Sequence, residues 1–144
     1  MQVQPYLFFE GRCDEAIAFY REAVGAEVKM LMRFKDAPAP GPDATAAAPC
    51  DAAVTGDKVM HASLRIGETE ILASDGRCQG APDFRGFGLT LTVADDATAA
   101  RRFGALAEGG QVTMKLGKTF FASSFGMVAD KFGVTWIVIA PAEG

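Results

Sequence analysis

Residues 125–139 read F-G-M-V-A-D-K-F-G-V-T-W-I-V-I, a pattern typical of two antiparallel strands joined by a tight turn. Residues 130–133 form the connection, with Gly133 where a positive φ is usually required. The second arm, residues 134–139, is almost wholly β-branched or aromatic and is apolar on both faces. We therefore predict a central strand that is buried on both faces, with Trp136 in its middle.

Length and composition indicate a globular protein with no nucleic-acid or membrane partner. The chain has 144 residues, of which 49% are hydrophobic and 22% charged, enough for one domain or for two small halves sharing a core. The net charge is −4 and Lys and Arg form no run, which argues against binding to phosphate backbones. No apolar run approaches the roughly 20 residues that span a bilayer.

The cysteines and the first residues indicate a cytoplasmic protein. The three cysteines, Cys13, Cys50 and Cys78, are odd in number and far apart, which is typical of reduced thiols. Met1 is followed by a strand-like segment and not by a basic and then apolar leader, so we predict no secretion signal.

The predicted elements occur in the same order twice. The first copy has a strand at 3–9, a helix at 13–24 and strands at 26–34, 59–66 and 69–74; the second has a strand at 87–93, a helix at 95–107, a strand at 112–116 and the hairpin at 125–139. Each copy is strand, helix and three strands, which indicates an old duplication. We predict a single domain over 1–144, with one module at about 1–80 and the other at about 81–144.

Residues 36–57 interrupt the first copy. They are rich in Ala, Pro, Gly and Asp and have no periodicity, so we predict a mobile loop. Such a loop is either a flap over a site or an inert excursion, and the sequence leaves both open.

Three segments resemble one protein family. They are Y-L-F-F-E-G-R-C-D-E-A-I-A-F-Y-R-E-A-V-G-A-E at 6–27, K-V-M-H-A-S-L-R-I-G at 58–67 and F-G-M-V-A-D-K-F-G-V-T-W at 125–136. They resemble the PhnB-like branch of the vicinal oxygen chelate superfamily, which includes glyoxalase I, bleomycin and fosfomycin resistance proteins and extradiol dioxygenases. Members of this branch are often labelled 3-demethylubiquinone-9 3-methyltransferase domains. This chain has no glycine-rich strand-to-helix turn of the kind that holds a nucleotide-like cofactor.

The resemblance implies an α+β fold in which two βαβββ modules form one curved mixed sheet with a central cleft, and a homodimer. Alternation along the strands predicts which side chains face that cleft. We expect Met60, Leu64, Leu89 and Leu91 to back onto helices. We expect the cleft to be lined by His61, Ser63, Arg65, Thr90 and Thr92.

The resemblance also locates the four positions at which metal-dependent relatives carry His, Glu or Gln. They fall at or near Pro5, Leu72, Gly88 and Ile137, and none of these residues is a ligand. A transition metal needs three or four N, O or S donors, so we predict no metal and no other cofactor. A site in which Gln4, Glu70 and His61 converge remains as an alternative.

His61 is the only histidine and therefore the one side chain that exchanges protons near neutral pH without a large shift. It is either a general base, oriented by Asp75 or Glu70, or a satisfied histidine in a hairpin. Arg65 is either a clamp for an anionic group or a solvated side chain. Trp136 is either the floor of an apolar pocket or part of the core.

These observations predict a metal-independent protein that binds a small organic molecule. We expect His61 and Asp75 as the reactive pair, and Ser63, Arg65, Glu70, Thr90 and Trp136 as the ligand-binding residues. The alternative is an enzyme, either a lyase, an isomerase or a glyoxalase- or dioxygenase-like protein, that uses His61 as a general base or as a metal ligand.

Overall fold

The computed structural model describes residues 1–36, 55–76 and 81–142 and divides the chain into two compact units, Met1–Pro82 and Asp83–Gly144. Unit 1 contains β1 Tyr6–Phe8, α1 Cys13–Ala23, β2 Glu27–Arg33, β3 Val59–Ile66 and β4 Thr69–Ser74. Unit 2 contains β5 Gly88–Thr92, α2 Asp96–Ala107, β6 Gln111–Gly117, β7 Ala122–Ala129 and β8 Thr135–Pro141. The predicted α+β class and the repeated order of strand, helix and three strands are confirmed.

The sheet of unit 1 has the strand order β1-β4-β3-β2, with β1 parallel to β4 and the other pairs antiparallel. One face is buried on the helix side, where Phe9 meets Tyr20 of α1 with ring centroids 6.0 Å apart. The buried sheet residues of this face are Leu7, Ala62, Leu64, Ile71 and Ala73. Because side chains alternate along a strand, Tyr6, Phe8 and His61 lie on the opposite face.

The sheet of unit 2 has the order β5-β8-β7-β6, with β5 parallel to β8. The predicted central position of β8 is confirmed, since it lies between β5 and β7. The prediction that both of its faces are buried is wrong. Trp136, Val138 and Ala140 are buried, whereas Thr135, Ile137 and Ile139 are only half-buried. A run of β-branched residues suits a strand whether or not both faces are covered, so composition alone overestimated the burial.

The turn between β7 and β8 follows the predicted connection. The amide of Gly133 donates to the carbonyl of Asp130 at 2.9 Å, and Gly133 has φ 92°. The Asp130 carboxylate then accepts hydrogen bonds from the amides of Phe132 and Val134 at 2.9 and 3.1 Å. This aspartate therefore fixes the turn from inside the hairpin.

The predicted loop at 36–57 is described only at its two ends. Single turns of 3-10 helix occupy Phe34–Asp36 and Thr55–Asp57, and residues 37–54 lie outside the described residues. Within the described ranges neither helix is long and apolar enough to cross a membrane.

Candidate functional site

Most of the predicted site residues lie on the face of the unit 1 sheet opposite α1. We call this surface the open face; it carries Tyr6, Phe8, His61, Ser63, Arg65, Glu70 and Leu72. Strand register arranges these side chains in rows across the sheet. One row is Tyr6, Leu72 and Ser63, and the next toward the β3–β4 turn is Glu70 and Arg65. Adjacent rows are about 7 Å apart because each strand residue rises about 3.3 Å.

Three aromatic rings form a continuous file on the open face. The ring centroids of Phe8 and Tyr6 are 4.7 Å apart with planes inclined by 30°. Those of Tyr6 and His61 are 5.5 Å apart with planes inclined by 44°. Phe8 is 51% exposed, and Tyr6 and His61 are half-buried. The ring file therefore offers a partly exposed aromatic surface to a ligand.

The hydrogen-bond partner of His61 is Tyr6. The Tyr6 hydroxyl lies 3.1 Å from His61 Nδ1, and the histidine tautomer decides which of the two donates. The sequence alone does not pair Tyr6 with His61, because the two residues are 55 positions apart and meet only through the pairing of β1 with β4 and of β4 with β3. The available signal was alternation in β1, which separates Tyr6 and Phe8 from the buried Leu7.

Ser63 and Glu70 form the second polar pair of the open face. The Ser63 hydroxyl donates to Glu70 Oε1 at 2.6 Å. Ser63 is only 5% exposed, so its hydroxyl needs an internal acceptor, and the exposed Glu70 side chain supplies one. Glu70 is consequently bound to Ser63 and does not orient His61.

Arg65 is exposed at the edge of the same surface. Its Nε donates to the carbonyl of Gly67 in the β3–β4 turn at 2.9 Å. Glu70 is its direct register partner on β4, yet within the described part of the chain Arg65 forms no ion pair. The guanidinium is thus held toward the turn and not across the strands.

Asp75 does not have the predicted orienting role. Its side chain is buried, with 1% of the residue exposed, and its two oxygens accept from the backbone amides of Cys13 and Val59 at 2.8 and 2.6 Å. Asp75 therefore joins the start of α1 to the start of β3. Its position directly after β4, from which we predicted contact with His61, brings the carboxylate to the first residues of α1 and β3 instead.

Thr90 and Trp136 do not share a face of the unit 2 sheet. In the parallel pairing of β5 with β8, Thr90 is opposite Ile137 and Leu89 is opposite Trp136. Thr90 is exposed, whereas Trp136 is 2% exposed and its Nε1 donates to Asp130 Oδ2 at 2.9 Å. Trp136 is therefore a core residue, and its predicted role in lining a ligand surface with Thr90 is corrected.

The residues present do not fit the divalent-metal centre of the superfamily. At two of the implied ligand positions, the side chains of Leu72 and Ile137 contain no N, O or S atom that could bind a metal. The alternative set does not converge: Gln4 Nε2 donates to the Glu70 carbonyl at 3.4 Å, while Glu70 Oε1 and His61 Nδ1 are engaged by Ser63 and Tyr6. Over the described ranges no group of three or more His, Cys, Asp and Glu side chains is placed to hold a metal ion.

Known proteins resemble this chain over almost its whole length. Residues 1–139 match the family model described as 3-demethylubiquinone-9 3-methyltransferase. Protein YjdN of Escherichia coli K12 is 35% identical over 138 residues, which cover 96% of this chain and 94% of YjdN. The crystal structure of PA1353 from Pseudomonas aeruginosa is 39% identical, covers 98% of both chains and has a TM-score of 0.80. A PhnB protein from Bacillus cereus is 24% identical, covers 97% of this chain and 99% of its own, and shares the fold with a TM-score of 0.76.

Proposed function

Because this chain belongs to the 3-demethylubiquinone-9 3-methyltransferase family, in the vicinal oxygen chelate superfamily, we propose that it binds a small organic molecule without a metal or other cofactor. The single observation that carries this proposal is the Tyr6–His61 pair inside the ring file of the open face. Two hydrogen-bonding groups lie among partly exposed aromatic rings, and small-molecule sites are typically apolar surfaces with a few fixed polar groups.

The ring file and the polar pairs supply different parts of such a site. The binding free energy becomes more favourable by about 25 cal/mol for each Å² of apolar surface that is buried when a ligand packs against Phe8 and Tyr6. The polar atoms of His61 and Ser63 are held by hydrogen bonds to Tyr6 and Glu70 before any ligand arrives, which lowers the entropy lost on binding. Binding of this kind requires shape and a few polar contacts and no Lewis acid.

The composition of the chain provides a built-in assay. His61 is the only histidine and Trp136 the only tryptophan, so the imidazole C–H and indole N–H signals in NMR spectra are each assignable without ambiguity. A fragment library titrated into the protein should contain compounds that shift the His61 signals and leave the Trp136 signal in place. A library in which no compound moves the His61 signals would contradict the proposal.

A second candidate function is proton-transfer catalysis, and the Tyr6–His61 hydrogen bond favours it. With Nδ1 engaged by Tyr6, Nε2 is the ring atom left to exchange a proton with a bound molecule. Mass spectrometry of the fragments that bind separates the two functions, because only a catalyst converts a fragment into a product of different structure or mass. Because the glutamine side chain keeps a hydrogen-bonding group beside Tyr6, His61→Gln should lower binding measured by calorimetry only a few-fold, whereas it should lower proton-transfer catalysis by roughly 10² or more.

We also propose a cytoplasmic homodimer. Support comes from the dispersed cysteines and from exposed apolar residues on the edge strands β2 and β6. These residues are Val28, Met30 and Leu31 on β2, and Val112 and Met114 on β6. An uncovered edge strand with apolar side chains tends to pair with another chain. Analytical ultracentrifugation at micromolar concentration should give the mass of two chains, and a species with the mass of one chain would contradict this part of the proposal.

A further inference from the structure

We propose that the molecule bound at the open face carries a positively charged nitrogen, and that the Glu70 carboxylate beside the ring file recognises it. This inference rests on the proposed function and narrows it to a class of ligand, organic amines and quaternary ammonium compounds with an apolar or aromatic part. It follows from the position of one carboxylate, the charge around it and the rings next to it.

The Ser63 hydroxyl determines where the Glu70 carboxylate lies. Glu70 originates in the row that it shares with Arg65, but its Oε1 is bound to Ser63, which belongs to the row of Tyr6 and Leu72. The hydrogen bond of 2.6 Å therefore draws the carboxylate one row toward the ring file. Among the described residues no donor binds the second oxygen, Oε2, so it remains able to accept a hydrogen bond from a ligand.

Within the part of the chain that the structure describes, no cation forms an ion pair with Glu70. Arg65, the cation directly opposite, donates instead to the Gly67 carbonyl and forms no ion pair in the described ranges. Glu27 flanks Arg65 on β2 and lies 3.9 Å from Lys29, and Glu68 occupies the β3–β4 turn. Among the described residues around the end of this hairpin, the three carboxylates of Glu27, Glu68 and Glu70 outnumber the two cations of Lys29 and Arg65.

Aromatic rings and a carboxylate together select for cations. The π faces of Tyr6 and Phe8 attract a positive charge and have no such attraction for an anion. A charge-assisted hydrogen bond to Glu70 adds to this, while a ligand carboxylate would be repelled. A neutral aromatic ligand would gain the stacking contact alone.

The test uses three probes with the same ring and chain but different charge: 2-phenylethylamine, 2-phenylethanol and 3-phenylpropionate. Each is titrated into the full chain at neutral pH, and the dissociation constant is taken from the His61 imidazole signals. We expect the amine to bind about five- to tenfold more tightly than the alcohol, and the acid more weakly than either. Added salt should reduce the advantage of the amine.

Two matched variants assign the preference to one carboxylate. Glu70→Gln should lower the affinity for the amine about five- to tenfold and leave that for the alcohol unchanged within twofold. Glu68→Gln removes the same charge from the same hairpin at an exposed turn position that is not bound to Ser63, so it should reduce the preference by no more than about twofold. The alcohol titration also shows that each variant retains a folded site.

The outcomes separate this inference from the proposed function. Equal binding of the three probes, a preference for the acid, or an amine preference that survives Glu70→Gln would overturn the cation assignment and leave a binding face in place. The cation assignment is also overturned, and the proposed binding function is kept, if none of the three probes binds while a library fragment shifts the His61 signals. If neither probes nor fragments shift them, the inference and the proposed function fail together.

Discussion

Gly126 of β7 lies so close to Phe103 of α2 that a Cβ at position 126 would be 2.8 Å from Phe103 Cε2 and 2.9 Å from Leu116 Cα. The second of these is a backbone atom of the neighbouring strand and cannot rotate away. We expect Gly126→Ala to lower the free energy of unfolding by about 1–3 kcal/mol, the typical cost of overpacking a core. Urea denaturation of the variant and of the parent, monitored by Trp136 fluorescence, measures this difference in the free energy of unfolding.

Gly104 provides the control within the same unit. It lies inside α2, and a Cβ there meets nothing within 4 Å. Gly104→Ala should raise the free energy of unfolding by about 0.5–1 kcal/mol, since alanine is the better helix former. A Gly126→Ala protein as stable as the parent would show that α2 does not press against β7 as described.

Asp75→Asn should destabilise the fold without changing the site. Asparagine has an NH2 group in place of one of the two accepting oxygens, so the backbone N–H of either Cys13 or Val59 loses its partner at a cost of about 1–3 kcal/mol. The His61 signals and the affinity for bound fragments should stay as in the parent.

Tyr6→Phe removes the hydroxyl that binds His61 Nδ1, so it should shift the His61 signals and lower the free energy of unfolding less than Asp75→Asn does. Loss of binding in folded Asp75→Asn would restore an orienting role for Asp75.

Stability in acid should depend in part on the ion pair between Asp14 and Arg33. Nη1 and Nη2 of Arg33 donate to the two Asp14 carboxylate oxygens at 2.8 Å each. This hydrogen bonding, helped by the charge of Arg33, lowers the pKa of Asp14 against the opposing effect of burial. The pair therefore stabilises the fold above the ordinary carboxyl pKa of about 3.9 and loses this effect as the pH falls through the lower folded value.

The corresponding experiment compares Asp14→Asn with the parent by urea denaturation at neutral pH and in acid. The variant should be less stable at neutral pH, and the difference should narrow as the pH drops below about 4. The effect should be small and salt-sensitive, because the Asp14 side chain is 56% exposed. A difference that is the same at both pH values would argue against this ion pair as its origin.

Cys13 should be unreactive in the folded protein. It is fully buried, and its thiol pKa is raised, first by burial and then by the negative charges of Asp75 and Asp14. In a chain with Cys50→Ser and Cys78→Ser, maleimide labelling should be slower in buffer than in denaturant by roughly 10³ or more, since it requires local opening. Rapid labelling in buffer would contradict the buried position.

Local pattern predicted the elements of this fold well, and the reasons lie in particular residues. Alternation from Val59 to Ile66 placed Ala62 and Leu64 on the buried face opposite His61, as observed, although Val59 and Ser63 on the face of His61 are also buried. The turn at residues 130–133 followed from Gly133, whose positive φ is observed. These features depend only on neighbours in sequence, where periodicity and turn chemistry act directly.

The site was predicted less completely because its contacts join distant strands. Tyr6 reaches His61 only through the parallel pairing of β1, whose register no local pattern specifies. Whether Thr90 and Trp136 lie on the same face of the sheet depends on the register of β5 against β8. A shift of this register by one residue would place them on the same face. The hydrogen-bond partners of Asp75 depend on distant contacts too, because the amides of Cys13 and Val59 belong to α1 and β3.

The parallel pairing of β1 with β4 also has a consequence for the order of folding. The β3–β4 hairpin closes around a short turn at Gly67 and can form early, whereas β1 must return across the whole helix and two further strands before Tyr6 reaches Leu72. Contacts between residues that are distant in sequence close long loops, so they form late and slow folding. We therefore expect the Tyr6–His61 contact to be among the last to form, so that binding competence appears only when the first sheet is complete.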